Sequence, residues 1–93
     1  MKHPGYARFH DRLSSFVGWK GPEAIHMAAS GFFYTGPNDL VECYHCGVKL
    51  KSWKTFHSPY FEHEQWSKSC PCVGQYHITK SYQEFNSTDP GRA

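Results

Sequence analysis

Cys43, Cys46, His63 and Cys70 constrain what this chain can fold into more than any other residues. Cys43 and Cys46 form a CxxC pair; sixteen residues separate Cys46 from His63, and six separate His63 from Cys70. Three thiolates and one imidazole are the donor set of a closed, tetrahedral structural zinc site. The spacing predicts one structural Zn2+ held by Cys43, Cys46, His63 and Cys70. A chain of 93 residues is expected to form one domain with a thin core, and a metal staple is a common remedy at that size. Zinc binding at such sites is worth about 10–16 kcal/mol, as much as the whole stability of a small domain, so the metal-free chain is expected to be largely unfolded.

The fourth cysteine, Cys72, keeps alternatives open. Four cysteines could close two disulfides, as in small secreted domains. Against that, the start Met1-Lys2-His3-Pro4 lacks the apolar segment of an export signal. Reduced thiols and a cytoplasmic setting, with the nucleus as an alternative, are the expectation. Cys72 could replace Cys70 as a ligand; otherwise it is a small, buried or half-exposed thiol. His45, inside the CxxC knuckle, is expected to face solvent, as are the scattered His3, His10, His26 and His77. A net charge of +2 is too weak to imply nucleic acid or an anionic membrane. No run of about eighteen apolar residues is present to span a bilayer. Neither nucleic acid nor membrane is an expected partner.

Along the chain, residues 1–7 suggest a flexible lead. Phe9, Leu13, Phe16 and Val17 follow helical spacing, with Gly18 as the stop. Pro22 suits the first turn of a second helix, whose buried face would be Ala24, Ile25, Ala28 and Ala29, and Gly31 suits its left-handed end. Three strands should follow: Phe32-Phe33-Tyr34, Leu40 to Tyr44, and Val48 to Trp53, with alternation placing Val48, Leu50 and Ser52 on one face. The turn cluster Gly36-Pro37-Asn38-Asp39 separates the first two. Ser58-Pro59 signals a helix start that carries His63, with Glu62 and Glu64 near its positive end. Ile78, Tyr82 and Phe85 suggest a last helix, and residues 87–93 a flexible tail. The fold class is α+β: a three-stranded antiparallel sheet surrounded by short helices.

These motifs together resemble the BIR domain of the inhibitor-of-apoptosis family. Arg12-Leu13-Ser14-Ser15-Phe16 with Trp19 is similar to the family's opening stretch. Ala29 to Gly36 resembles its A-x-G-F-x-Y-x-G segment, and Asp39 to Gly47 its D-x-V-x-C-x-x-C-G segment. Leu50, Trp53, Pro59, His63 and Trp66 also fall at family positions. The resemblance covers about residues 8–86. It implies a small zinc-bound BIR fold and no enzymatic activity. It also implies an arginine packed near the metal site, matched here by Arg12, with a surface salt bridge as the alternative role.

The resemblance further implies a peptide-binding groove that captures free N-termini of Ala-x-Pro type. Its residues would be Leu50, Lys51, Ser52, Trp53, His57, Glu62 and Trp66. Lys51 would offer backbone hydrogen bonds, Trp53 a wall for the alanine methyl, Trp66 a surface for the proline, and Glu62 a carboxylate for the amine. The alternative for Trp53 and Trp66 is ordinary core packing, and for Glu62 a plain helix-start carboxylate. His57 and Ser52 depart from the pattern, because groove-bearing members usually carry acidic residues at the first position and sometimes at the second. A neutral His57 could accept a hydrogen bond from the amine, whereas a protonated one would repel it. An ordinary imidazole titrates near 6.5, so peptide affinity should fall below about pH 6. Expected partners are proteins with exposed Ala-type N-termini: antagonists of the family, BH3-only proteins or processed caspases. A single-BIR chain of this length would suit a viral or invertebrate anti-apoptotic protein, and if complete it would lack a RING and ubiquitin-ligase activity. The alternative is a survivin-like cell-division adaptor that reads a histone-tail N-terminus.

Overall fold

The computed structural model describes residues 1–73. The expected helix through Ile78, Tyr82 and Phe85 and the expected tail lie outside the described residues.

Helix α1 spans Phe9–Ser14 and stops sooner than the apolar spacing implied. The Ser15 hydroxyl donates to the Arg12 carbonyl at 2.6 Å and accepts the Tyr34 N–H at 2.8 Å, which ties the chain to the sheet. Phe16 still reaches the core, but Phe9 (42% exposed) and Val17 (85% exposed) do not. Helix α2 spans Ala24–Ala29 with Glu23 as its cap, so Pro22 precedes the helix rather than lying in its first turn. Its buried face is Met27 and Ala28, with Ala24 packed alongside, instead of Ile25 and Ala29. Ala24, Met27 and Ala28 also obey i, i+3, i+4 spacing. In a six-residue helix the packing of α1 and the sheet decides between two such stripes. Gly31 takes φ +100° just past the helix end, as expected.

The sheet is antiparallel, in the order β1 (Phe32–Tyr34), β2 (Val41–Cys43), β3 (Lys49–Leu50). Its register pairs Phe32 with Cys43, Tyr34 with Val41, and Val41 with Leu50. Those five residues share one face, which packs onto Phe16, Met27 and Trp53. Strand β3 ends at Leu50 rather than continuing to Trp53. Ser52 adopts φ +65°, which breaks the alternation expected through Trp53.

The opposite face of the sheet carries Phe33, Glu42 and Lys49. The N-terminal residues cover part of it, in place of the loose lead expected there. Pro4–Tyr6 form one 3-10 turn. The Tyr6 ring stacks on Phe33 at 3.9 Å, and His3 meets Glu42 at 2.6 Å. The Lys2 and His3 N–H groups donate to the carbonyls of His45 (3.0 Å) and Tyr44 (2.7 Å). His3 is thus a docking residue, not a free surface histidine.

Helix α3 spans Pro59–Trp66 as the sequence predicts at its start: the Ser58 hydroxyl accepts the Phe61 N–H at 3.3 Å and Pro59 opens the first turn. It buries Tyr60 and His63. A short turn then brings Cys70, Cys72 and Val73 back into the core.

Candidate metal centre and adjoining groove

Four separate pieces of chain bring together donors that could hold a metal ion. Cys43 ends β2, Cys46 lies in the following knuckle, His63 sits in α3 and Cys70 lies beyond it. Their donor atoms all lie within 4.8 Å of one another. The Sγ atoms of Cys43 and Cys70 are 3.8 Å apart, and Cys46 Sγ is 3.5 Å from His63 Nε2. A tetrahedral zinc with ordinary bond lengths would set S–S near ~3.8 Å and S–N near ~3.6 Å. The donor set and its spacing therefore fit one metal ion of zinc's size and softness. All four cysteines of the chain are free thiols, so no disulfide competes for the donors.

The surroundings prepare each donor. His63 is 1% exposed, and its Nδ1 lies 2.8 Å from the Ser30 carbonyl. A carbonyl can only accept, so Nδ1 carries the proton and Nε2 turns its lone pair toward the thiols. The His45 N–H donates to Cys43 Sγ at 3.3 Å, and Gly47 takes φ +80° to close the knuckle, donating its N–H to the Cys43 carbonyl at 3.0 Å. A methyl group added at Gly31 would sit 2.8 Å from Cys72 Sγ and 3.4 Å from Cys43 Sγ. Glycine is thus required there both for its backbone angle and for the approach of the thiols.

Without metal these thiols are unevenly acidic. The Cys72 thiol, then burial, pushes Cys43 strongly up. Burial pushes Cys70 up to about 11. Burial also acts to raise Cys46, but the Ser67 hydroxyl and neighbouring N–H and thiol groups outweigh it, so Cys46 titrates below the usual thiol. Cys72 is buried beside Cys43 but is not among the four clustered donors.

Arg12 is buried rather than a surface salt bridge. Its Nε donates to the Ala28 carbonyl at 2.9 Å, its terminal nitrogen to Tyr6 and Ala7 carbonyls at 3.0 and 2.8 Å, and its guanidinium lies 4.5 Å from the Tyr44 ring centre. It joins α2, the N-terminal turn and the residue after Cys43, and its positive charge opposes the net negative charge of a three-thiolate zinc site.

A groove of about 410 Å³ lies between β3 and α3. Leu50, Lys51, Ser52, Trp53, His57, Glu62 and Trp66 all line it, together with Lys49. Seven positions spread over seventeen residues of sequence therefore converge on one cavity. Trp66 is 68% exposed, a free aromatic surface. Trp53 is only 9% exposed and packs edge-on against Phe32 at 5.7 Å. It is both a core residue and part of the groove floor. Glu62 is half-buried in the first turn of α3. His57 Nδ1 accepts the Lys54 N–H at 3.0 Å. A neutral His57 therefore presents Nε2–H, a donor, to its surroundings. The expectation that it could accept a bond from a ligand amine is not met.

The sequence marks Asp39 as a turn residue and as the start of the D-x-V-x-C-x-x-C-G segment, but gives no sign that it shapes the groove. Its two carboxylate oxygens accept the N–H groups of Ser52 (3.0 Å) and Trp53 (2.7 Å). The Ser52 bond, with lesser help from Trp53 and Lys51 and against the effect of burial, holds Asp39 below the usual carboxylate range.

A family model described as the Inhibitor of Apoptosis domain, BIR, matches residues 12–74. The ORF42 protein of Ostreid herpesvirus 1 (isolate France) is 39% identical over 83 residues, covering 85% of this chain and 23% of that protein. Death-associated inhibitor of apoptosis 2 of Drosophila melanogaster is 37% identical over 73 residues, covering 75% of this chain and 15% of that protein. The chain thus spans about a third or less of the length of such curated relatives. Among solved structures, the autoinhibited dIAP1-BIR1 domain matches with a TM-score of 0.69 at 33% identity, covering 73% of this chain and 72% of that one. The DIAP1 BIR1 domain bound to a Grim peptide matches with a TM-score of 0.67 at 33% identity, covering 72% and 71%. Sequence motifs, sheet topology, the clustered metal donors and these matches agree: the chain belongs to the BIR family of inhibitor-of-apoptosis domains.

Proposed function

We propose that this BIR domain is an anti-apoptotic binding module: it holds one structural Zn2+ and captures free, Ala-type N-termini of pro-apoptotic partners or processed caspases. The observation that carries this reading is the convergence of Leu50, Lys51, Ser52, Trp53, His57, Glu62 and Trp66 on one groove. Among the described residues strand β3 is an edge strand, with a side open to an extended peptide as an added strand. The Glu62 carboxylate would hold the ligand's ammonium, the Trp53 edge would bound a pocket for the first methyl, and exposed Trp66 would receive a proline ring. A similar BIR domain has been seen with a Grim peptide, which supports peptide capture as the mode of action.

Zinc would be held by Cys43, Cys46, His63 and Cys70 and would supply cross-linking rather than chemistry. Four protein ligands leave no open coordination position, which supports a non-enzymatic role. Thiol ligation also suits a reducing compartment, the cytoplasm or nucleus. Calorimetric titration of the zinc-loaded protein with Ala-Val-Pro-Ile, and with its N-acetylated twin, tests this function. The free-amine peptide should bind and Glu62→Gln should weaken it at least tenfold. Equal binding of the acetylated peptide, or no effect of Glu62→Gln, would contradict the assigned amine site.

A further inference from the structure

A second cavity, about 990 Å³, adjoins the groove and shares Lys49, Lys51, Ser52 and Trp53 with it. It continues past β3 to Trp19, Lys20, Tyr34 and the 37–40 turn. None of Glu62, His57 or Trp66 reaches it. Resting on the peptide-capture reading, we propose that this second cavity receives the residues that follow the first four of a captured N-terminus, and that it selects an acidic segment there.

The path follows from the fixed end. A ligand whose ammonium sits at Glu62 and which lies along β3 has only two directions, and the strand itself continues toward Lys49. An extended chain advances about 3.3 Å per residue. Four residues therefore use up the length of a two-residue strand and its flanks, and the fifth leaves the first groove where the two cavities join.

The selection follows from charge. Lys20, Lys49 and Lys51 line the second cavity, and among the described residues Asp39 is the one acidic residue there. Both Asp39 oxygens are already occupied by the Ser52 and Trp53 N–H groups. Glu42, which faces Lys49 across the sheet, is bound to His3. Among the described residues neither Lys20 nor Lys49 has a carboxylate within ion-pair distance. Two uncommitted ammonium groups, with Lys51 beside them, thus border an open trough with Trp19 and Tyr34 in its wall. A run of Asp or Glu is the complement, and a run of Lys or Arg would be repelled.

Fluorescence-polarisation titrations test this with four free-amine peptides: Ala-Val-Pro-Ile alone, and the same four residues followed by Glu-Asp-Glu-Asp, by Ser-Gly-Ser-Gly or by Lys-Lys-Lys-Lys. At low salt the acidic extension should bind about fivefold more tightly than the neutral one, and the basic one more weakly than either. The difference should shrink at 0.5 M salt. Lys20→Glu should abolish the preference while leaving affinity for the tetrapeptide unchanged, because Lys20 lines only the second cavity. Equal affinities for the three extensions would overturn the acidic-segment proposal alone. Failure of the tetrapeptide to bind would overturn the peptide-capture reading and this proposal with it.

Discussion

Asp39 and Trp53 are fourteen residues apart in sequence, yet the carboxylate of one accepts the backbone N–H of the other at 2.7 Å. The second Asp39 oxygen takes the Ser52 N–H at 3.0 Å. These bonds stop β3 early, hold Ser52 in a left-handed conformation that costs a non-glycine residue about 1 kcal/mol, and set Trp53 between core and groove. Asp39→Asn removes the charge and one acceptor. It should lower stability by about 1 kcal/mol, since the site is largely exposed to water, and weaken peptide binding through the groove floor. Denaturant melts and peptide titrations of the variant check this; an unchanged affinity would contradict the role given to Asp39.

The same pair sets an acid limit. Asp39 is a stronger acid when folded, with the Ser52 N–H as the main cause. Its contribution is therefore complete above the unfolded carboxylate value, near 3.9, and is lost as pH falls below that through the folded value. An NMR titration should show the Ser52 and Trp53 amides moving together with a midpoint below 3.8. A midpoint at or above that value would contradict the geometry.

Metal removal should be more damaging than any single substitution. The Cys72 thiol, then burial, raises Cys43 strongly without metal, and Cys70 titrates only at about 11. Zinc loading at neutral pH must therefore displace protons, and zinc affinity should fall as pH drops. Calorimetry in two buffers of different ionisation enthalpy should detect the release, and circular dichroism should show the fold collapsing on chelation. A metal-free protein with an unaltered spectrum would contradict a structural role for the ion.

The clustered Cys and His donors, the α3 start and the sheet were legible because each is a local signal. CxxC with Gly47 defines a knuckle, Ser58-Pro59 a helix cap, and Phe32-Phe33-Tyr34 before Gly36-Pro37 a strand and turn. What the sequence hid depends on partners far along the chain. Strand β3 is short because Asp39 captures residues 52 and 53. Helix α2 buries Met27 rather than Ile25 because a short helix takes its orientation from its neighbours. Residues 2–6 are docked because Phe33 and Glu42 point to the sheet's second face. No periodicity announces any of these.

His57 spends its Nδ1 on the Lys54 N–H, so its free nitrogen is a donor in a groove proposed to bind a cation. His57→Glu would replace that donor with a second carboxylate beside Glu62. Affinity for free-amine peptides should rise about fivefold to tenfold, with no gain for an acetylated peptide. A gain shared by both peptides, or a loss, would mean that the amine lies elsewhere.

Amide NMR of the zinc-loaded domain, titrated with Ala-Val-Pro-Ile, puts the proposed groove to its most direct trial. The account predicts saturable shifts concentrated at residues 50–53, His57, Glu62 and the Trp66 indole, and none with the acetylated peptide. Shifts clustered on another face, or the same shifts with both peptides, would contradict it.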